Sequence, residues 1–265
     1  MPRCFLAAVA LCLSTLSLSA ADAWLTDLDE GIKVAKAEKK AILVDFTGSD
    51  WCGWCIRLKK EVFDQKEFAA ASKDFVLVEL DYPQKKQQSA EVKAKNKALS
   101  EKFGIEGFPT IMLLDANGEP FAQTGYESGG AVKYLAHLAE LLKANTADGR
   151  KAYVQAKKDE GLVRAYSAEL ETILTPFFEK KDLAGGEAAL AQFIKAKSLT
   201  GAAKFNLTVN ARVSLTQACK PGDLGAVLKV LDAIIAETPA DLKELGDVKQ
   251  FRAQVAAAAA AKAKK

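Results

Sequence analysis

Trp51-Cys52-Gly53-Trp54-Cys55 decides how this chain is read. Two cysteines stand two residues apart, shortly after the apolar run Ala41-Ile42-Leu43-Val44-Asp45-Phe46. The segment that follows, Ile56 to Phe68, is compatible with helix. A strand that delivers a Cys-x-x-Cys pair to the start of a helix places a thiol against unpaired backbone N–H groups and the positive end of the helix dipole. Both favour thiolate, the reactive species in disulfide exchange.

Working outward, Leu25 to Lys40 carries helical spacing at Leu28, Ile32 and Ala35, with Asp27 and Glu30 as a variant capping box. Ala41 to Phe46 reads as a strand buried on both faces. Asp64 is placed to cap a short helix through Ala71. Phe75 to Asp81 reads as a second strand, and Ser89 to Phe103 as a helix capped by Ser89 and ended near Gly104. Thr110 to Leu114, the turn Asp115-Ala116-Asn117-Gly118 and Pro120 to Thr124 read as a hairpin. Gly125, Gly129 and Gly130 form a joint before a helix from Ala131 to Ala144. The order implies an α/β fold with a central mixed sheet flanked by helices.

Composition shifts at the polar stretch Asn145 to Arg150. Beyond it the pattern is helical throughout: Leu162 to Phe178, Glu187 to Lys197, Ala202 to Cys219, Leu224 to Glu237 and Asp247 to Ala261. Gly185-Gly186, Pro221-Gly222-Asp223 and Pro239 read as turns between them. These read as short antiparallel helices stacked in pairs, with a helical-repeat organisation left open because no clean repeat is visible. The expected organisation is a leader at 1–23, an α/β domain at 24–146, and an all-α region at 150–265 with a low-complexity Ala/Lys tail.

The chain has 265 residues, an apolar share of 49% and a formal charge of +3. That composition supports a globular core and gives no electrostatic footprint for nucleic acid. Arg3, the apolar run Phe5 to Leu18 and the small residues Ser19, Ala20, Ala21 and Ala23 read as an export signal, too short for a bilayer span. Cleavage removes Cys4 and Cys12 and leaves Cys52, Cys55 and Cys219 in a compartment where disulfides form. The mature protein is expected to be periplasmic or extracellular, in a bacterium, without stable membrane insertion. A metal is the chemical rival for Cys-x-x-Cys. Zinc needs about four ligands, and only Cys219 and His137 remain as Cys or His candidates. Neither a metal nor a cofactor is expected.

The strand, the Trp-Cys-Gly-x-Cys phrase and the later Gly107-Phe108-Pro109-Thr110 resemble the thioredoxin superfamily, above all its exported bacterial members. The resemblance covers about Trp24 to Asn145. It implies a thioredoxin-like fold and a redox-active disulfide, with Cys52 as nucleophile and Cys55 as the resolving thiol. It implies that Asp45 assists proton transfer to Cys55, although the loop before Cys52 is one residue longer than is usual. A lysine of the family's neighbouring strand is replaced by Glu79. It also implies a cis bond at Pro109 that leaves the preceding backbone free to pair with an extended substrate. Trp51, Trp54 and Phe108 form an apolar rim on this reading.

The two residues between the cysteines tune redox poise. Gly53-Trp54 is neither the Gly-Pro of reducing thioredoxins nor the Pro-His of strong oxidases, so the sequence leaves the direction of electron flow open. The expected function is disulfide exchange with protein substrates, as reductase or isomerase, served by an electron donor or acceptor the sequence does not name. The alternative is a redox-sensing or structural binding module whose helical half recruits a partner. Arg57, Lys59 and Lys60 add positive potential near Cys52 or form a solvated helix face, and Cys219 is expected to be a buried single thiol.

Overall fold

The computed structural model describes residues 24–263. The expected leader, with Cys4 and Cys12, lies outside them. Five strands form one sheet: β1 (Trp24–Leu25), β2 (Ala41–Thr47), β3 (Phe75–Asp81), β4 (Thr110–Leu114) and β5 (Pro120–Thr124), in spatial order β1-β3-β2-β4-β5. β3 runs parallel to β1 and β2, while β4 is antiparallel to both β2 and β5. The short β1 has no signature in the sequence. Two residues are too few to show alternation, and pairing with Leu77 and Val78 creates the strand.

β2 is buried along its whole length, which explains its continuous apolar run. Its alternate side chains enter two cores. Ala41 and Leu43 pack with Leu58, Val62, Phe63, Ile111 and Tyr134 on one face. Ile42, Val44 and Phe46 pack with Leu28, Ala35, Val78 and Met112 on the other. Asp45 follows Leu43 on the first face by the period-2 rule.

The helices of this half are α1 (Leu28–Glu38), α2 (Gly53–Leu58), α3 (Lys66–Ala71), α4 (Ala90–Phe103) and α5 (Gly130–Leu142). Asp27 caps α1 by accepting N–H bonds from Asp29 and Glu30, a contact worth about 1 kcal/mol. Ser89 caps α4 through the Val92 N–H, and Gly104 ends it in the left-handed region. Gly129 and Gly130 take φ of 119° and 74°, which only glycine adopts without strain. The helix after the cysteines is not continuous to Phe68. α2 passes into a π-helical turn at Lys59–Phe63, and the chain breaks before α3. Asp64 does not cap α3. Gln65 occupies that position without a side-chain bond, and Asp64 instead pairs with Lys59 Nζ at 2.9 Å.

Five further helices follow: α6 (Ala147–Lys180), α7 (Leu183–Ala196), α8 (Gly201–Cys219), α9 (Leu224–Glu237) and α10 (Leu245–Ala263). α6 starts within the polar stretch Asn145 to Arg150 where composition shifts. Thr146 Oγ1 accepts the Gly149 N–H at its start, and its early turns are too polar to show periodicity. The described residues divide into two compact units, one ending at Tyr153 and the other beginning at Val154, with the boundary inside α6. Arg150 pairs with Asp115 at 3.4 Å and the Tyr153 hydroxyl bonds Gln123 at 3.2 Å, both within the first unit. The second unit holds its own cores, one around Leu174, Leu190, Ala203 and Leu215 and one around Val227, Leu231 and Ile234.

Gly185-Gly186 is not a turn. Both residues lie in α7, whose cap is Asp182. A Cβ on Gly186 would come within 2.4 Å of Leu215 Cδ2, so the glycine lets α7 approach the fully buried Leu215 of α8. Gly186→Val should therefore lower stability by about 1–3 kcal/mol, the usual range for overpacking, measured as a lower midpoint in urea. An unchanged midpoint would show that α7 and α8 can separate freely.

Candidate active site

Cys52 is the N-cap of α2, and Cys55 sits one turn further on. The two are joined as a disulfide with Cα atoms 5.2 Å apart. Both are buried, at 6% and 3% exposure. The Cys55 N–H points at Cys52 Sγ at 3.2 Å, and the Gly48 N–H points at Cys55 Sγ at 3.5 Å. Backbone donors aimed at sulfur stabilise negative charge there. The Phe108 carbonyl oxygen lies 3.5 Å from Cys52 Sγ, and the Phe108–Pro109 bond is cis. Gly53 has open space where a side chain would project, so nothing obstructs approach from that side.

Aromatic rings flank the pair in two groups. Trp51 meets Phe108 edge-on at 5.8 Å, and Phe108 packs on Tyr82 at 5.0 Å. The Trp51 indole N–H donates to the Tyr82 carbonyl at 2.8 Å, which fixes the ring's tilt. In the second group Trp54 packs on Tyr126 at 5.1 Å, with the Arg57 guanidinium 5.6 Å and 5.3 Å from the two ring centres. Arg57 also binds Glu61 at 2.7 Å, and Glu61 accepts the Tyr126 hydroxyl at 2.6 Å. Trp54 is 55% exposed, so it forms an open apolar face rather than a cover over the pair.

The loop between β2 and α2 is fastened to the segment after β3. The Ser49 N–H and hydroxyl both donate to the Asp81 carboxylate, at 2.9 and 2.6 Å. Asp50 accepts the N–H groups of Gln84, Lys85 and Lys86 at 2.7–2.9 Å. These bonds, with Lys86 nearby, hold the Asp50 carboxyl below its usual range. Asp50 of this loop thus supplies a carboxylate that orders the neighbouring loop.

Asp45 is 4% exposed, and its Oδ1 has no hydrogen-bond partner among the described residues. Burial holds its carboxyl well above the ordinary value, Glu79 and Asp81 push it the same way, and Lys59 opposes them. Glu79 is its register partner on β3 and is also raised, chiefly by burial. Asp45 lies on the sheet face that packs with Leu58 of α2, on the strand leading to Gly48. Lys59, one turn beyond Cys55, opposes the upward shift of both Asp45 and Glu79, while its ammonium pairs with Asp64.

Of the residues expected at the site, Trp51, Cys52, Phe108 and Pro109 converge. Cys55 sits below them and Trp54 on the adjoining face. Sequence reasoning missed Tyr82, Tyr126, Glu61 and Asp50. Nothing local marks them. His137 binds Thr124 Oγ1 at 2.9 Å, and Cys219 is a half-buried free thiol. Among the described residues no group of three or more His, Cys, Asp or Glu side chains is placed to hold a metal ion, and no helix is long and apolar enough to cross a membrane.

A family model described as a thioredoxin-like domain matches residues 28–139. The disulfide bond reductase DsbH of Chlamydia pneumoniae is 35% identical over 130 residues, covering 49% of this chain and 78% of that protein. The chain belongs to the thioredoxin-like family. It is a thiol–disulfide oxidoreductase of that family. The thioredoxin-related protein DsbJ of the same organism is 35% identical over 153 residues, but this chain spans only 44% of its length. A solved DsbH oxidoreductase is 32% identical, covers 49% of this chain and 94% of its own, and has a TM-score of 0.43.

The raised Asp45 carboxyl links stability to pH. Between 3.8 and its folded value the native state holds a proton that the unfolded chain has lost. The stability contributed by the neutral form is complete below 3.8 and drains away as pH rises through the folded value. Asp45→Asn should therefore raise the thermal midpoint increasingly above pH 3.8. Parallel midpoints for the two proteins at every pH would contradict the buried, neutral carboxyl.

Proposed function

We propose that this chain is an exported reductase of disulfides in other proteins. One observation carries the reading. Cys52 Sγ, at the head of α2, lies beside the Phe108 carbonyl and between two aromatic faces, with Cys55 buried one turn behind it. A substrate in extended conformation would lie along Gly107–Phe108, its side chains against Trp51, Phe108 and Trp54.

In the proposed cycle the Cys52 thiolate attacks one sulfur of the substrate disulfide. The substrate S–S bond breaks, its second sulfur leaves as a thiolate that takes a proton from water, and Cys52 holds the first in a mixed disulfide. Cys55 then loses its proton, with Asp45 as acceptor, and attacks Cys52 Sγ. The substrate leaves as a dithiol and the Cys52–Cys55 disulfide remains. Two electrons have passed to the substrate, and an external dithiol must restore the pair.

The reductase direction is supported by the relative named as a disulfide bond reductase. Export is supported by the apolar N-terminal run with its small-residue sites. Residues 24–153 would be the exchange domain and residues 154–265 a separate helical domain. In the latter, Lys204, Thr208 and Arg212 of α8 border two cavities of ≈ 600 and ≈ 370 Å³. That surface suits the alternative in which the helical half recruits a partner.

Cys52→Ser should abolish reduction of insulin by dithiothreitol through this protein, while Cys55→Ser should accumulate the mixed disulfide on non-reducing gels. Insulin reduction that is indifferent to Cys52 would end the proposal. The Cys52–Cys55 couple should equilibrate with glutathione at a potential nearer the ~−270 mV of a reductant than the ~−120 mV of an oxidant. A value at the oxidising end would reverse the direction assigned.

A further inference from the structure

Asp45 and Glu79 are direct register partners on the parallel strands β2 and β3. Neighbouring strands lie about 5 Å apart, and paired residues project from the same face, so the two carboxyl groups emerge side by side beneath α2. Their exposures differ. Asp45 is sealed and has an unpartnered Oδ1, whereas Glu79 is half-buried. The topology accounts for the difference. β1 pairs with β3 only at Leu77 and Val78, so Glu79 lies just past the end of the covering strand, where the flank of β3 opens.

We propose that Asp45 and Glu79 work as one proton-sharing pair, in which Glu79 is the route by which buried Asp45 exchanges protons with solvent. The inference rests on the dithiol reading of Cys52 and Cys55. Two adjacent carboxylates in a dry site do not both ionise freely, so the pair holds a proton that either oxygen set can carry. The titratable groups that face Asp45 are Glu79 and Asp81 from β3, Lys59 from the π turn after α2 and Tyr134 from α5. Those that face Glu79 are Lys59, Asp81, Lys86 and Asp64. Lys59 is the cation common to both and keeps one negative charge tolerable between them.

The proton path balances. As Cys55 attacks the mixed disulfide, its S–H proton passes to Asp45, whose own proton moves to the ionised Glu79. The Cys52–substrate bond breaks and the substrate sulfur leaves with the electron pair. Glu79 then releases that proton past the end of β1, which leaves the pair again with one proton and one negative charge. Reduction of the Cys52–Cys55 disulfide runs the path in reverse, with the proton returning to Cys55. Glu79 is a positioning residue here: it touches neither substrate nor sulfur and acts through Asp45.

The test uses the full-length oxidised chain with ¹³C-labelled side-chain carboxyls, titrated by NMR. Coupling predicts two-step titrations at both residues. Glu79→Gln should turn the Asp45 curve into a single step at lower pH, and Asp45→Asn should do the same to Glu79. Glu79→Gln should also slow decay of a fluorescent Cys52 mixed disulfide roughly tenfold, short of the ~10²-fold typical of losing a general acid–base group, and Glu79→Asp should recover part of that loss. A purely structural Glu79 would leave the Asp45 titration unmoved. That result, with insulin reduction still dependent on Cys52, overturns the pair and leaves the dithiol reading standing. Insulin reduction independent of Cys52 removes the dithiol reading whatever Asp45 does.

Discussion

A strand buried on both faces gives its side chains no route to water, and β2 carries a carboxyl group in that position. This constraint organises the site. β2 must lie at the centre of the sheet to separate the two cores, and the period of two then sends Asp45 toward the helix that bears the cysteines. An ionised carboxylate there is expensive unless paired. The surroundings supply a second carboxyl and a distant lysine rather than a direct ion pair. Such a group holds its proton readily, and the proposed exchange cycle assigns it the proton of Cys55.

The rest of the site is built to keep the cysteines fixed while the surface beside them stays open. Asp50 and Ser49 fasten the loop before Cys52 to the end of β3 and the loop after it. Trp51 is held by its indole N–H, and Trp54 rests on Tyr126, itself fixed by Glu61. The apolar rim is therefore preorganised, so an extended chain bound there, as proposed, would cost little side-chain ordering. Arg57 is engaged with Glu61 as well as with the two rings, so it is a paired, solvent-exposed cation at the rim.

Much of this half was legible in the sequence. β3 and β4 match their expected limits, and Ser89, Gly104 and the Asp115–Gly118 turn act as read. Each rests on interactions within a few residues, where spacing and side-chain type suffice. The errors share another origin. Gly185-Gly186 has turn composition but serves helix packing, and Asp64 has cap chemistry but meets Lys59 instead. The early turns of α6 are helical despite a polar composition, since Thr146 caps them and Arg150 and Tyr153 anchor them.

The sequence by itself determined that two cysteines open a helix after a doubly buried strand, and that an acid lies in that strand. These are local facts, set by covalent spacing and by the periods of strand and helix. Tertiary structure alone decided which groups meet: Glu79 beside Asp45, Tyr126 beside Trp54, and Asp50 beneath the amides of Gln84 to Lys86. The physical reason is register. A one-residue slip of β3 against β2 would turn Glu79 to the other face and leave Asp45 with a different neighbour. That register is set by the summed packing of two cores rather than by any segment read alone.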